Sequence, residues 1–263
     1  MASSTVVATA NVLYTLGPAA ARDALHGVVD LGPDLVGLQE WNPPRYRLLR
    51  EMGSVSLAPR LGLRLGSRAA GRRPGYHWVT PLVGGCAVGA RADRFELVSH
   101  GSSVLSRPGR AERPDHWLSL EPPRVATVGT FRDLQTGRTV SLLSYHLAPG
   151  VQAGGRYRDD RPVLTARHQQ EVSRVERLVS SRLARGHEVY AVGDSNFDGL
   201  RLRGLVSAWE GREGEPGTLG PHRKVDDVFA LDRAVSVTLV TSASDHKALV
   251  VAHDTTAGAG GVA

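Results

Sequence analysis

The chain has 263 residues, 41% of them apolar and 22% charged, an ordinary globular mix that excludes a disordered or low-complexity chain. The formal net charge of +6 favours an anionic partner such as nucleic acid, a phosphorylated metabolite or an acidic membrane surface. Only Lys224 and Lys247 are lysine and isoleucine is absent, so part of this arginine basicity reflects a compositional bias and carries no functional weight. The single cysteine, Cys86, excludes an intramolecular disulfide and a cysteine-rich metal site, and the apolar stretch Leu82–Val88 around it predicts a small core residue. No run of about 18 apolar residues exists, and strand-like sequence begins by Thr5 with no signal-peptide pattern before it. The expectation is a soluble, cytoplasmic protein.

Thr5–Tyr14 is rich in β-branched residues and predicts a strand, and Ala19–Val29 has helical periodicity closed by Gly32-Pro33. Leu35–Leu38 is a short buried strand running into Gln39-Glu40, and Pro43-Pro44 opens a short helix to about Met52. Ser54–Gly75, with Arg60, Arg64, Arg68, Arg72 and Arg73, predicts a long surface loop that could also form a phosphate-contacting rim. Tyr76–Leu82, Gly85–Arg91 and Phe95–Leu105 read as strands, and Ser106–His116 as a second loop. Arg124–Asp133 and Arg138–Leu147 flank Leu134-Gln135-Thr136-Gly137 as a hairpin, and Pro149–Pro162 reads as a third loop. Leu164–Leu183 is the long amphipathic helix, with Val172, Val175, Leu178, Val179 and Leu183 on its apolar stripe. After a buried strand at Val189–Val192, a short helix is expected near Leu202–Trp209, then strands at Lys224–Leu231, Ala234–Thr241 and His246–His253. Residues 1–254 form one domain in this reading, and the Gly/Ala-rich tail 255–263 is expected to be disordered. Strands that outnumber helices and mix hairpins with α/β units predict an α/β (α+β) fold of two mixed sheets packed face to face with helices outside.

Polar residues recur where these apolar strands stop: Asn11, Glu40, His146, Asp194, Asn196, Asp226 or Asp227, and Asp245-His246. The stretch Val189–Asp198 is the most pointed, because Gly193 ends the apolar run and Asp194 and Asn196 follow two apart, which in extended backbone puts both on one face. An Asx-rich turn explains the same letters. Asparagine is otherwise rare here, occurring only as Asn11, Asn42 and Asn196. Taken together, carboxylates with carboxamides are hard oxygen ligands suited to Mg²⁺ or Mn²⁺, and two histidines beside acids can orient, protonate or neutralise a phosphoryl group.

Six stretches in order carry a resemblance: Thr9-Ala10-Asn11, Gly37-Leu38-Gln39-Glu40, Ser144-Tyr145-His146-Leu147, Gly193-Asp194-Ser195-Asn196-Phe197, Val225-Asp226-Asp227-Val228-Phe229 and Ser244-Asp245-His246. With these the chain resembles the endonuclease/exonuclease/phosphatase superfamily, which includes DNase I-like nucleases and magnesium-dependent sphingomyelinases. The resemblance implies a DNase I-like four-layer αββα sandwich with the site at one rim. It implies Glu40 as main metal ligand, with Asn11 and Asp245 beside it, binding Mg²⁺ (or Mn²⁺). Asp194 would be the base acting on the attacking water, Asn196 the group holding that water or the phosphate, and His246 the phosphate contact opposite the metal. Asp226 would orient His246, and His146 would stand near the leaving group.

The departures are Ser195, where a bulky apolar residue is usual, and Asp227 after Asp226, which leaves open which aspartate orients His246. The resemblance implies a metal-dependent phosphoesterase cleaving phosphodiesters, nuclease-like, with DNA and RNA among the candidate substrates. A phosphatase or phosphodiesterase for a phosphorylated lipid or small metabolite is the second reading. A non-catalytic nucleic-acid-binding module is the third, disfavoured because every expected ligand and acid–base position is filled.

Overall fold

The computed structural model describes residues 3–58, 64–65, 75–112 and 120–255. In its first half the strands are β1 (Ser3–Asn11), β2 (Leu35–Gln39), β3 (Gly53–Ala58), β4 (Arg64–Leu65), β5 (Tyr76–Pro81), β6 (Ala87–Arg91), β7 (Phe95–Ser106), β8 (Gly109–Arg110) and β9 (Leu120–Glu121). Then come β10 (Arg124–Asp133), β11 (Thr139–His146), β12 (Gln152–Ala153), β13 (Arg156–Tyr157), β14 (Glu188–Asp194), β15 (Val206–Ser207), β16 (Asp226–Ala230), β17 (Ser236–Val240) and β18 (Ala248–Thr255). The helices are α1 (Pro18–Val29), α2 (Tyr46–Met52, entered through a tight turn at Pro43–Arg45) and α3 (Pro162–Leu183). Each opens near a proline, whose fixed φ suits a first helical turn.

One sheet has the order β17-β18-β1-β2-β6-β5-β3-β4 and the other β15-β16-β14-β11-β10-β7. Both are mixed. The pairs β1–β2 and β11–β14 are parallel, while β1–β18, β2–β6, β10–β11 and β14–β16 are antiparallel. Val7, Leu35, Val88, Phe131, Leu142, Val192 and Leu249 fill the space between the sheets, each fully buried. Full burial of such side chains contributes about 1.5–3 kcal/mol apiece. Helices α1 and α2 cover the outer face of the first sheet through Ala24, Leu25 and Leu49, and α3 covers the second through Val175 and Val179. The expected α/β sandwich of two sheets with helices outside is what forms.

Several details differ from the sequence reading. Residues 54–58, the expected start of a loop, instead belong to β3, parallel to β5, because Val55 packs in the core against the first sheet's helices. Of the Ser54–Gly75 segment, 59–63 and 66–74 lie outside the described residues, as do 113–119 of the second loop and 256–263 of the tail. The helix expected near Leu202–Trp209 is instead turns and the edge strand β15, whose Ser207 and following Ala208 bond the Asp227 carboxylate. Strand β18 reaches Thr255, which the sequence reading assigns to the tail. The inner face of α3 is also less apolar than its stripe suggests, since His168 and Glu171 are fully buried beside Val175. No helix among the described residues is long and apolar enough to cross a membrane.

At the rim away from the strand ends β2 and β14, Arg94 is buried and ties the sheets together. It bonds Asp34 before β2 (2.8 Å), Asp133 at the end of β10 (3.1 Å) and the backbone of Ser4 (2.9 Å). Across the middle, Gly37 lets β2 approach β14: a Cβ there would stand 2.1 Å from Val192 Cγ2. Gly37→Ala therefore must push the sheets apart or displace Val192. The expected outcome is a loss of about 1–3 kcal/mol of stability, read from urea unfolding; an unchanged midpoint would show that the sheets close without this glycine.

Candidate active site

Because β1–β2 and β11–β14 are parallel pairs that face one another, all four carboxyl ends open on one rim. Asn11 ends β1 opposite Gln39 of β2, and Glu40 follows Gln39 directly. His146 ends β11 opposite Asp194 of β14, and Asp194 in turn pairs with Asp226, the first residue of the antiparallel β16. His246 arrives from the turn before β18. Topology alone gathers residues up to 235 positions apart.

The atom at the centre is Asp194 Oδ2. Asn11 Nδ2 donates to it at 2.9 Å, His146 Nε2 lies 3.5 Å away and His246 Nε2 4.0 Å away. Behind His246, Nδ1 is 2.7 Å from Asp226 Oδ2. Asp194 Oδ1 accepts the backbone N–H of Asn196 at 2.7 Å, and the Asn196 amide donates to Leu147 O at 3.1 Å. Asn196 sits at φ 53, so the strand has ended before it and the Asp194–Asn196 pair does not share an extended face. The Asx-turn reading of these letters is geometrically right, and the turn itself is what fixes the Asp194 carboxylate.

Glu40 has φ 57, also left-handed. Such a conformation costs of order 1–3 kcal/mol in a non-glycine residue and persists only when its surroundings impose it. Here Trp41, fully buried, donates its N–H to Gly85 O at 2.7 Å, while the Glu40 carboxylate accepts the N–H of Tyr14 at 2.8 Å. Arg45, buried, bonds the carbonyls of Val12, Leu13 and Leu16 and so holds the loop that follows Asn11. Asp245 is exposed, and its neighbour Ser244 donates to Asn11 O at 2.8 Å. Asn11, Glu40 and Asp245 thus occupy the same corner of the rim. Among the described residues, however, the cluster of three metal-capable side chains with ligand atoms within 4.8 Å of one another is Asp194, Asp226 and His246, and Glu40 and Asp245 are not part of it.

The protonation pattern follows from burial and neighbours. Burial opposes a charge on His246, but its bond to Asp226 and the nearby charges of Asp194 and Asp245 outweigh this and raise its pKa to about 9. His146 is pushed well below the usual histidine range, first by burial and then by the charges of Arg124 and His246. The two histidines are therefore unlike at neutral pH, one charged and one neutral. Burial, then the charge of Asp226, raises Asp194 to about 7 against the pull of His246, the Asn196 N–H and the Asn11 amide.

Asp226, and not Asp227, meets His246. Asp227 points to the other face of β16, where its carboxylate accepts from Ser207 Oγ, Ala208 N and Val228 N. Ser195, the unusual residue between Asp194 and Asn196, is buried and bonds Phe197 O and Val225 O, both at 2.8 Å. Its carbonyl meets His168 Nε2 at 2.7 Å, and Tyr157 OH meets His168 Nδ1 at 3.1 Å. Sequence reasoning missed these supports. It also missed Gln39, which accepts from Thr9 Oγ1 and donates to Ser144 Oγ, linking the sheets directly beneath the site. A glutamine at the end of an apolar strand was the available signal.

No family model and no curated protein matches the sequence. Solved structures do. An endonuclease/exonuclease/phosphatase from Bacteroides vulgatus aligns with a TM-score of 0.63 at 16% identity, covering 95% of this chain and 98% of its own. D. rerio TDP2 complexed with a single-strand DNA product aligns at 0.59 and 16%, covering 95% and 98%. The mannosyl-6-phosphatase Bt3783 of Bacteroides thetaiotaomicron aligns at 0.59 and 15%, covering 94% and 98%.

Asp227 gives a test of these electrostatics. Burial raises its pKa to about 7, with the bonds from Ser207 and the two backbone N–H groups opposing. An unfolded aspartate loses its proton near pH 3.9, so between about pH 4 and 7 the folded chain holds one proton more than the unfolded. This group's contribution to stability therefore falls as pH rises through that window. Asp227→Asn, which cannot ionise, should be less stable than or equal to wild type near pH 4 and gain on it steadily toward pH 7, read as the Tm difference. A difference that stays flat would mean the carboxyl is already ionised in the folded state.

Proposed function

We propose that this chain, whose fold is that of the endonuclease/exonuclease/phosphatase superfamily, is a divalent-metal-dependent phosphoesterase that hydrolyses phosphodiester bonds by in-line attack of an activated water. The observation that carries this reading is the convergence of Asn11, His146 and His246 on Asp194 Oδ2, with Asp226 behind His246.

Asp194 is the acceptor for the water's proton, and the Asx turn at Asn196 aims it. His246, kept charged by Asp226, faces the phosphoryl oxygens and offsets the charge that builds on them. His146, neutral and beside Asp194, is placed to hydrogen-bond the departing oxygen through its ring N–H, with the proton that oxygen needs coming from solvent. Asn196 binds through its amide to the loop after His146 and so ties the two halves of this arrangement together.

The donor set fits a hard cation. Asn11 Oδ1 is buried with no hydrogen-bond partner, because the amide nitrogen is committed to Asp194. Glu40 and Asp245 add carboxylate oxygens at the same corner, a hard donor set of the kind Mg²⁺ and Mn²⁺ take. These three residues would hold Mg²⁺ or Mn²⁺. When bound, such an ion supplies Lewis-acid neutralisation of phosphoryl charge. A different location is favoured by one observation, the cluster of Asp194, Asp226 and His246. The short His246–Asp226 bond argues for an imidazolium there, which is a poor ligand.

A nucleic-acid substrate is supported by the single-strand DNA product in the D. rerio TDP2 structure and by the chain's net positive charge. The mannosyl-6-phosphatase of the same fold supports a small phosphomonoester as the second reading. Plasmid nicking and oligonucleotide cleavage with Mg²⁺, beside a panel of phosphomonoesters, separate the two, and turnover of monoesters with untouched DNA would remove the nuclease reading.

Asp194→Ala is expected to lower kcat by about 10²–10⁴-fold on whichever substrate turns over, the range for a lost general base. Glu40→Ala should weaken Mn²⁺ binding measured by calorimetry, whereas Asp226→Asn should leave it within about threefold. The opposite pattern would move the ion to the Asp194, Asp226 and His246 group. If both alanine variants keep full activity, the site assignment is wrong.

A further inference from the structure

Beside the catalytic rim, between the end of β7 and the first turns of α3, lies a cavity of 460 Å³ faced by Arg107, Arg110, Arg167 and Arg174. Among the described residues no acidic side chain lines it. This separates it from the chain's general arginine bias, because the other two large described cavities mix their arginines with acids: Glu188, Asp232 and Asp254 in one, Asp198, Glu210 and Glu213 in the other. The carboxylates beside it are already engaged: Glu112 accepts the N–H of Leu164 at 2.9 Å, Glu121 accepts from Arg124 at 3.1 Å, and Glu171 is fully buried behind the arginines. Its Oε1 accepts from Ser106 Oγ at 2.5 Å and Arg167 Nε at 3.0 Å, and its Oε2 accepts Ala148 N at 2.8 Å. Of the four arginines that face the cavity, only Arg167 is paired with a carboxylate among the described residues. Gathering like charges in a concavity is unfavourable unless an anion enters it.

Two of the four are held ready. Arg167 Nη2 donates to Pro122 O at 2.5 Å, and Arg174 Nη1 donates to Leu105 O at 2.8 Å, so both guanidinium planes are fixed by backbone. The side chains of Arg107 and Arg110 are exposed and make no hydrogen bond or ion pair among the described residues. The cavity is also coupled to the candidate catalytic site. Glu171 grips Ala148, two residues after His146, and Ser106 pairs across the sheet with Arg124, whose charge reaches His146.

We infer that this arginine pocket binds a second phosphate of the substrate, a further backbone phosphate of a nucleic-acid strand whose scissile diester lies at Asp194, since the end of β7 stands three strands, roughly 14 Å, from β14. A guanidinium fork matches phosphate oxygens two at a time, and two arginines fixed by backbone with two exposed ones offer that fork from both sides of the cavity. The inference rests on the phosphoesterase reading, and its test is chosen to be independent of turnover.

The probe is a fluorescein-labelled 12-residue oligothymidylate, titrated by anisotropy in EDTA against the full chain, against Arg107→Ala/Arg110→Ala and against Arg201→Ala/Arg203→Ala. The last pair removes the same charge from exposed arginines at another cavity. The pocket variant should bind at least tenfold more weakly, with its salt slope reduced by about 1.4, two contacts at about 0.7 each. The control pair should stay within twofold of wild type. Turnover of bis(p-nitrophenyl) phosphate, which carries one phosphate, should be unchanged in the pocket variant, and so should its Tm. Equal losses in both variants would reduce the effect to net charge and overturn the site. Loss of inositol hexakisphosphate binding with oligothymidylate affinity intact would overturn the strand and leave a small polyphosphate as ligand. If wild type hydrolyses nothing while the binding difference holds, the phosphoesterase reading fails and the anion pocket stands.

Discussion

Everything at the candidate site depends on two sheets closing face to face with a parallel strand pair in each. Parallel neighbours finish at the same end, so β1 with β2 and β11 with β14 deliver Asn11, Glu40, His146 and Asp194 to one rim with no further instruction. The approach is set by small groups at the contact, above all Gly37 against Val192. It is held at the opposite rim by Arg94 and beneath the site by Gln39. A site assembled this way inherits the rigidity of the sandwich, because its side chains leave from strand ends and not from long loops.

Rigidity matters because the central group is expensive to bury. A carboxylate removed from water is destabilised by several kcal/mol unless it is paired and hydrogen-bonded. Asp194 answers that with the Asn11 amide on one oxygen and the Asn196 N–H on the other, and with charged His246 alongside. These partners leave Asp194 near its balance point and keep His146 and His246 in different protonation states. Two of the three described non-glycine residues with positive φ, Glu40 and Asn196, sit at this rim. Strain concentrated there is the expected mark of a site whose geometry the surrounding fold imposes.

How much of this was legible depended on the range of the interaction. Strands such as Leu35–Gln39 and Glu188–Asp194 announce themselves because the turn residues that end them are local, and so do the polar residues that follow. The edge strand at Val206–Ser207 was misread as helix because its identity comes from pairing with β16, 20 or more positions away. Residues 54–58 look like loop for the same reason, since their partner β5 begins at Tyr76. His168 and Glu171 extend the face of Val175 and Val179 toward the start of α3, where their polarity hid that they are buried, and only the loops packed there made them supports.

The sequence by itself determined the inventory: which polar residues stand at strand ends, that they are oxygen donors and imidazoles with no sulfur, and that their order along the chain matches a sandwich of two sheets. It could not choose between Asp226 and Asp227, because alternation along a strand says only that they face opposite ways. Tertiary structure decided that His246 lies on the Asp226 side. It also replaced the extended Asp194–Asn196 face with an Asx turn, through the positive φ of Asn196. Four arginines drawn from the turn after β7, from β8 and from α3 came together by the same means. Each of these outcomes depends on contacts between residues far apart in the chain, and no local pattern encodes the distance between them.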